Sequence, residues 1–305
     1  QWNQQIFGVN APNPPRAVLI DELHTYEGIH GAHVAGLLRR WRHAIGVDHP
    51  IQFTGLSATL LDANKFLSTI TGIECGAIEV VEPQPAHCYT SGAQYKVALR
   101  GDPVSATSLL STTIQATMLM SRMLDPRNGG RSGGAFGSKV FVFTDDLDVT
   151  HRLSPNLQDA EGASRMIGQP NRLPLASLRG STRDQARERG AAGQNWQACE
   201  DIGHNLETSM RIGVTTSRNK GVDEHAHVIV ATASLEVGYD DDSVGAVIQH
   251  KAPRGSAAFI QRIGRAGRPT AMRPWSVVAL SDYGRDRLAY QQFETLFEPQ
   301  LPSRS

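Results

Sequence analysis

Apolar positions along this chain follow two rhythms. Short, largely apolar runs recur: Ala17-Val18-Leu19-Ile20, Ile51 to Leu56, Ile78 to Val81, Lys139 to Phe143, Leu175 to Leu178, Val228 to Ala231, Ala246 to Gln249 and Ser276 to Leu280. Such runs are the pattern of strands buried on both faces of a parallel sheet. Between them lie stretches with helical spacing. His30 to Ile45 places Val34, Leu37, Leu38 and Trp41 on one face. Leu61 to Ile70 is closed by Gly72, and Ser105 to Leu124 ends at Asp125-Pro126. Further helices are expected near Ala257 to Arg265 and Arg285 to Phe297. Pro83 to about Pro103, the Gly/Ser/Arg-rich Asn128 to Ser138 and the polar Gly190 to Gly221 carry no clear pattern. Strands alternating with helices predict an α/β class with parallel sheets.

With 305 residues, two domains are expected, at roughly 150 residues each. The boundaries fall at 1–88, 89–290 and a further segment, 291–305. The content is ordinary for a globular protein, 40% apolar and 20% charged. Thirty basic residues balance thirty acidic ones. A polyanion gripped by bulk charge is therefore excluded; any such grip must come from local patches and backbone amides. Cys75, Cys88 and Cys199 form no C-x-x-C pair, which excludes a zinc ribbon and suits the reduced thiols of a cytoplasm. The pair His87-Cys88, and His225 with His227, read as surface or packing residues. There is no signal peptide and no apolar run of the roughly 18 residues that cross a bilayer, so no membrane partner is expected. The chain opens on Gln1 and runs through polar residues to Pro15, straight into a buried-type strand. It reads as part of a longer protein.

Four segments carry chemistry. Asp21-Glu22 follows the apolar run Ala17 to Ile20, so a strand delivers two carboxylates at its carboxyl tip, where open α/β sheets bind ligands. One carboxylate can hold Mg²⁺ through water, and the other can orient and deprotonate an attacking water. Taken alone, the pair could equally be a solvated turn. Gly55-Leu56-Ser57-Ala58-Thr59 ends the next strand in small hydroxyl residues able to bond the acidic pair; by itself this is an ordinary turn or helix cap. Ala231 to Asp240 ends another strand in hydroxyl residues, then Gly238 and Asp240, and such a loop can offer amides to a phosphate. Gln261-Arg262-Ile263-Gly264-Arg265-Ala266-Gly267-Arg268 is the most specific. Its arginines recur every third residue, and its glycines would each cost a helix about 1 kcal/mol. Guanidinium groups suit the charge of a transferring phosphoryl group.

In order and spacing these segments resemble superfamily 2 helicases. Asp21-Glu22-Leu23-His24 resembles the DEAH box, with Leu for the usual Ala, and Ser57-Ala58-Thr59 resembles motif III. Lys139 to Thr144, Ala231 to Asp240 and Gln261 to Arg268 resemble motifs IV, V and VI. The segment Asp21 to Val34 is similar to that of MrfA-type DNA repair helicases. Leu235 to Asp240 with Gln249 to Arg254 is closer to helicases of prokaryotic defence islands of the DISARM and Dpd kinds. The resemblance implies two RecA-like lobes with ATP between them, the first lobe incomplete. Asp21 would hold Mg²⁺ and Glu22 activate water, while Gln261, Arg265 and Arg268 reach the phosphates. Gly238 and Asp240 would contact nucleotide, or Asp240 would position an arginine. Thr144 and Thr232 would contact the nucleic-acid backbone. His24, Ser57 and Thr59 would couple hydrolysis to lobe movement. The implied partner is DNA, a single strand or duplex junction tracked 3′ to 5′, with other subunits of a repair or defence complex.

The family's phosphate loop, G-x-x-x-x-G-K-S/T, does not occur in these 305 residues. Gly133 to Lys139 has the wrong spacing and precedes a strand instead of following one. Two other readings follow: a catalytically incomplete helicase-like module that binds nucleic acid or a partner, and an RNA helicase of the DEAH kind. Arg39, Arg40 and Arg42 face either nucleic acid or solvent.

Overall fold

The computed structural model describes residues 2–26, 28–46, 50–57, 60, 62–82, 84–87, 92–101, 108–127, 129–163, 171–180, 184–216, 223–232 and 240–297. The chain forms two compact units, one over Gln1–Tyr89 and one over Thr90–Pro299.

The first unit contains α1 (Trp2–Gln5), β1 (Ala17–Ile20), α2 (Gly28–Ile45), β2 (Gln52–Gly55) and α3 (Ala63–Thr71). β1 and β2 pair in parallel, Ala17 opposite Gln52 and Ile20 opposite Gly55. Such a pair needs a crossover, which α2 supplies. Ile20 packs with Leu23, Phe66, Leu67 and Ile70, and Val18 and Phe53 flank them. The other face of β1 is open: Leu19 is 71% exposed. α3 ends where Gly72 turns left-handed (φ 73°) and its amide bonds the Ser68 carbonyl. Arg39 and Arg42 of α2 donate to the Thr69 and Thr71 carbonyls at that end, 2.7 and 2.9 Å away. These two arginines thus serve the C-terminus of α3, where the helix dipole favours cations. The strand expected at Ile78 to Val81 is absent. These residues follow a 3-10 turn (Cys75–Ala77), lie outside both sheets, and leave Val81 89% exposed.

The second unit contains β3 (Tyr95–Arg100), α4 (Leu109–Met123), β4 (Lys139–Phe143), α5 (Leu147–Ala160), α6 (Asp184–Ala191), α7 (Gln197–Ile202), β5 (Ile212–Thr215), β6 (Val228–Ala231), β7 (Val244–His250), α8 (Ser256–Ile263), β8 (Trp275–Leu280), α9 (Gly284–Gln291) and α10 (Phe293–Phe297). Its six strands run in the order β3-β8-β7-β4-β6-β5, and every neighbouring pair is parallel. Both faces are covered. Phe141 and Phe143 join Ile229, Val247, Phe259, Ile263, Val278 and Phe297 on one side. Val140 and Val142 join Leu153, Leu157, Val230 and Ile248 on the other. A buried guanidinium pins the second side: Arg122 of α4 grips Glu161 through two hydrogen bonds, 2.8 and 2.6 Å, and also donates to the Thr208 carbonyl.

The expected strand Leu175 to Leu178 is a 3-10 turn (Leu175–Arg179). The soft region holds β3, the polar region holds α7 and β5, and α5 was not anticipated. The helix expected over Arg285 to Phe297 is broken at Gln292 into α9 and α10.

Candidate nucleotide and nucleic-acid sites

In the first unit, β1 hands directly to the acidic pair. Two backbone bonds seat the turn: the Leu56 amide donates to Ile20, and the Leu23 amide to Leu56, both at 2.9 Å. Leu23 is buried and packs closely on Gly55, where a β-carbon would lie 2.7 Å from the end of the Leu23 side chain and push it aside. Glu22 is forced into left-handed backbone (φ 48°, ψ 47°). That conformation costs a non-glycine residue about 1–2 kcal/mol. It is held by the amide and hydroxyl of Thr25, both donating to the Glu22 carbonyl at 2.8 Å. Asp21 is exposed, and its carboxylate accepts the Glu22 amide at 2.9 Å.

His24 joins the first two motifs. Its buried ring places Nδ1 3.0 Å from the Ser57 hydroxyl and 3.4 Å from the Glu22 carboxylate. Carboxylate, imidazole and hydroxyl therefore share one nitrogen, across a span of 33 residues between His24 and Ser57. Thr59 lies outside the described residues.

In the second unit, α8 stops at Ile263, short of the expected Arg265. Only Arg262 of the three arginines is helical, and the glycines fall in the turn beyond, where they carry no helix penalty. Gly267 has φ 77°, and a β-carbon on it would meet Pro274 at 2.4 Å. Arg262 is buried. It lies 2.6 Å from an Asp145 carboxylate oxygen and 2.8 Å from Gln249 Oε1, with its guanidinium 5.6 Å from the centre of the Phe143 ring. It fastens α8 to the tips of β4 and β7. Arg268 points outward, its Nε 3.1 Å from the exposed Asp240 carboxylate. Gln261 and Arg265 are half-buried. Gly238 lies outside the described residues.

Thr144 is fully buried. Its hydroxyl sits 2.6 Å from that of Thr150 and 3.0 Å from the Asp146 carbonyl, which shapes the turn into α5. Thr232 is half-buried at the tip of β6. Asp241 pairs with Lys139. Burial raises its pKa, but hydrogen bonds from Lys139 and Ser243 outweigh this and hold it at about 2. Asp145 and Gln249 were not singled out from sequence. The available signal was Asp145-Asp146 one residue beyond a buried strand, close to the arrangement of Asp21-Glu22.

The glycine-rich segment before β4 is an anion nest already filled by the protein. The amides of Ser132 and Gly134 donate to the Asp125 carboxylate at 3.3 and 3.0 Å. A β-carbon on Gly130 would fall 2.0 Å from that carboxylate. Burial pushes the Cys199 thiol up to about 12, leaving an inert packing group. His227 accepts the Arg211 amide and stacks edge-on against His204. No helix among the described residues is long and apolar enough to cross a membrane.

Residues 136–270 match the helicase conserved C-terminal domain. The Lhr helicase/uracil glycosylase of Escherichia coli K12 is 26% identical over 263 residues, which is 82% of this chain and 16% of that protein. The Lhr helicase/probable uracil glycosylase of Mycolicibacterium smegmatis is 26% identical over 254 residues, 83% of this chain and 15% of that protein. The chain thus spans a small part of the curated relatives it matches. The structure of DUF1998 helicase MrfA bound to DNA and AMPPNP superposes with a TM-score of 0.57 at 15% identity, covering 95% of this chain and 34% of that one. Mycobacterium smegmatis Lhr bound to ssDNA and AMP-PNP gives 0.58 at 17% identity, covering 95% and 32%. These superpositions establish a RecA-like α/β fold with a parallel six-stranded sheet in the second unit.

Proposed function

From its resemblance to superfamily 2 helicases of the MrfA and Lhr types, we propose that this chain is most of the motor of an ATP-dependent DNA helicase or translocase. It moves 3′ to 5′ and serves DNA repair or defence against phage, with other subunits of such a complex as partners. The observation that carries the reading is the Glu22–His24–Ser57 arrangement beside Asp21. A structural turn has no need of a left-handed glutamate whose carboxylate faces a buried imidazole.

Asp21 suits Mg²⁺ taken through water: it is exposed and presents hard carboxylate oxygens. Such an ion, when bound, neutralises phosphate charge. Glu22 accepts the proton of the attacking water. Gln261, Arg265 and Arg268 act on the phosphates, with Asp240 aiming Arg268 at 3.1 Å. Gly238 lies in the loop assigned to nucleotide. Thr232 contacts the nucleic-acid backbone, and Thr144 supports that rim from beneath. His24 and Ser57, with Thr59, relay the state of Glu22. A phosphate loop of the G-x-x-x-x-G-K-S/T kind does not occur in these 305 residues.

The test is Glu22→Gln in a form of the protein that includes a phosphate loop. The amide keeps the shape but cannot take a proton, so turnover should fall by about 10²- to 10⁴-fold while nucleotide binding persists. Wild-type turnover by this variant refutes the assignment. Stimulation by RNA but not by DNA would instead make the substrate RNA.

A further inference from the structure

The charge of the chain is balanced overall but not along its length. From Ser243 to Ser281 there is no Asp or Glu, while Lys251, Arg254, Arg262, Arg265, Arg268 and Arg273 are all cationic. The site above uses Arg262, Arg265 and Arg268. Lys251, Arg254 and Arg273 are left over; Arg273 precedes the amino end of β8, and the other two lie together. Both are exposed, on the short loop between β7 and α8, and no ion pair joins either to a carboxylate among the described residues.

This loop is built rather than loose. Lys251 has left-handed backbone (φ 69°), which is costly for a long side chain. Four bonds hold the loop there. The Lys251 amide donates to the Ala279 carbonyl at 2.9 Å, and the Ala252 amide to the buried Asp286 carboxylate at 3.0 Å. The Ala252 carbonyl accepts from Arg285 at 2.5 Å, and the Arg254 amide donates to Asp145 at 3.3 Å. The acids nearest this loop are already engaged. Asp145 pairs with Arg262, Asp282 with Arg100, and Asp286 accepts from Ala252 and Ser281. What the loop itself projects is cationic, whereas past the end of β4 the exposed Asp146 caps α5 and Asp148 lies in its first turn.

Register places the loop. Ala231, Phe143 and Gln249 lie side by side across β6, β4 and β7. Thr232, Thr144 and His250 follow as the next row, and Lys251 stands one residue beyond it. Adjacent strands are about 4.8 Å apart, so Lys251 continues the rim that carries Thr232.

We infer that Lys251 and Arg254 grip the phosphodiester backbone of single-stranded DNA at the carboxyl rim of the second unit's sheet. This rests on the reading of the chain as a nucleic-acid motor. The two cations position the strand by charge and carry no base specificity.

The test is fluorescence anisotropy of the 305-residue chain with labelled oligo-dT and oligo-U of about 20 nucleotides, between about 50 and 200 mM salt. The variant is Lys251→Asn with Arg254→Gln, because Asn tolerates the left-handed backbone and so removes charge without breaking the loop. Oligo-dT affinity should fall about 10-fold or more, and the salt slope by about 1.4, near 0.7 for each lost phosphate contact. Lys251→Arg with Arg254→Lys should bind as wild type does. Wild-type affinity and slope in the Asn/Gln variant overturn the proposal, as does weaker binding with an unchanged slope. Binding of oligo-U alone overturns the DNA assignment. A wild-type chain that binds neither oligonucleotide defeats the motor reading along with this one.

Discussion

His24 stands where the two signals of the first unit meet, and the coupling proposed between them would run through its ring. One imidazole nitrogen faces both the Glu22 carboxylate and the Ser57 hydroxyl. A change in the charge or position of Glu22 therefore alters the bond to Ser57 before any larger movement. Ser57→Ala removes one partner of a buried nitrogen, worth about 0.5–1.5 kcal/mol. In a form of the protein that includes a phosphate loop, strand displacement per ATP hydrolysed should fall by about 2- to 10-fold, the size of that energy. Equal displacement per ATP in a strand-separation assay run beside a phosphate-release assay would remove Ser57 from the coupling. Sequence pattern, together with the helicase resemblance, pointed to His24, Ser57 and Asp240, which lie in segments that follow apolar runs. It could not reveal direction. Thr144 has the same kind of address, yet its hydroxyl turns inward to Thr150 and Asp146. Arg262 looks like Arg265 and Arg268 in sequence but is the buried one, because the helix ends between them.

Elements were legible where both faces are covered. β4, β6 and β7 are buried at every residue, so their sequences are continuous apolar runs. The two strands that escaped notice, β3 and β5, are the two edges of the six-stranded sheet. An edge strand is half-covered, and Tyr95–Arg100 carries Lys96 and Arg100 accordingly. α5 hid behind Pro155, which usually argues against a helix. Conversely, Ile78 to Val81 and Leu175 to Leu178 have apolar content without a neighbouring strand to pair with. One prediction belongs to the seam between α4 and β7. His250 is buried against Thr113, its Nδ1 2.8 Å from the hydroxyl, and its pKa is lowered from 6.5 to about 4. Burial is the main cause, and the Lys251 charge adds to it. The unfolded chain takes up this proton near 6.5, and the folded unit resists until about 4. The stabilising effect is thus intact above 6.5 and lost as pH falls towards 4. Between about pH 7 and pH 5 the loss should be about 1–2 kcal/mol. Thermal melts of His250→Asn should show a shallower acid dependence than wild type. Parallel curves would mean that this histidine does not titrate on unfolding.

At the scale of the whole molecule, the question is which parts of a nucleotide site these 305 residues can supply. In the roles proposed above, Asp21, Glu22, Gln261, Arg265 and Arg268 would act on phosphates already held in place. Holding them takes a ring of backbone amides and a lysine, the work of the G-x-x-x-x-G-K-S/T loop. That run does not occur in the sequence. The segment that comes nearest to it, Gly133 to Lys139, has its amides engaged within the protein: that of Gly134 donates to Asp125, and the others donate to nearby carbonyls or to the Ser132 hydroxyl. Arginines do not substitute, because a few guanidinium forks attract and orient phosphate oxygens without the enclosing ring of amides that fixes the line of attack. The 305-residue chain alone should therefore show no DNA-stimulated ATP hydrolysis above background, even if it binds single strands through the acid-free segment between Ser243 and Ser281. A coupled phosphate-release assay with and without oligo-dT measures this directly. Joining the chain to a segment that carries the loop should restore turnover, and Glu22→Gln should abolish it again. Robust hydrolysis by the chain alone, sensitive to Glu22→Gln, would mean that the phosphates are held by residues other than those named, and that the module is catalytically complete as it stands.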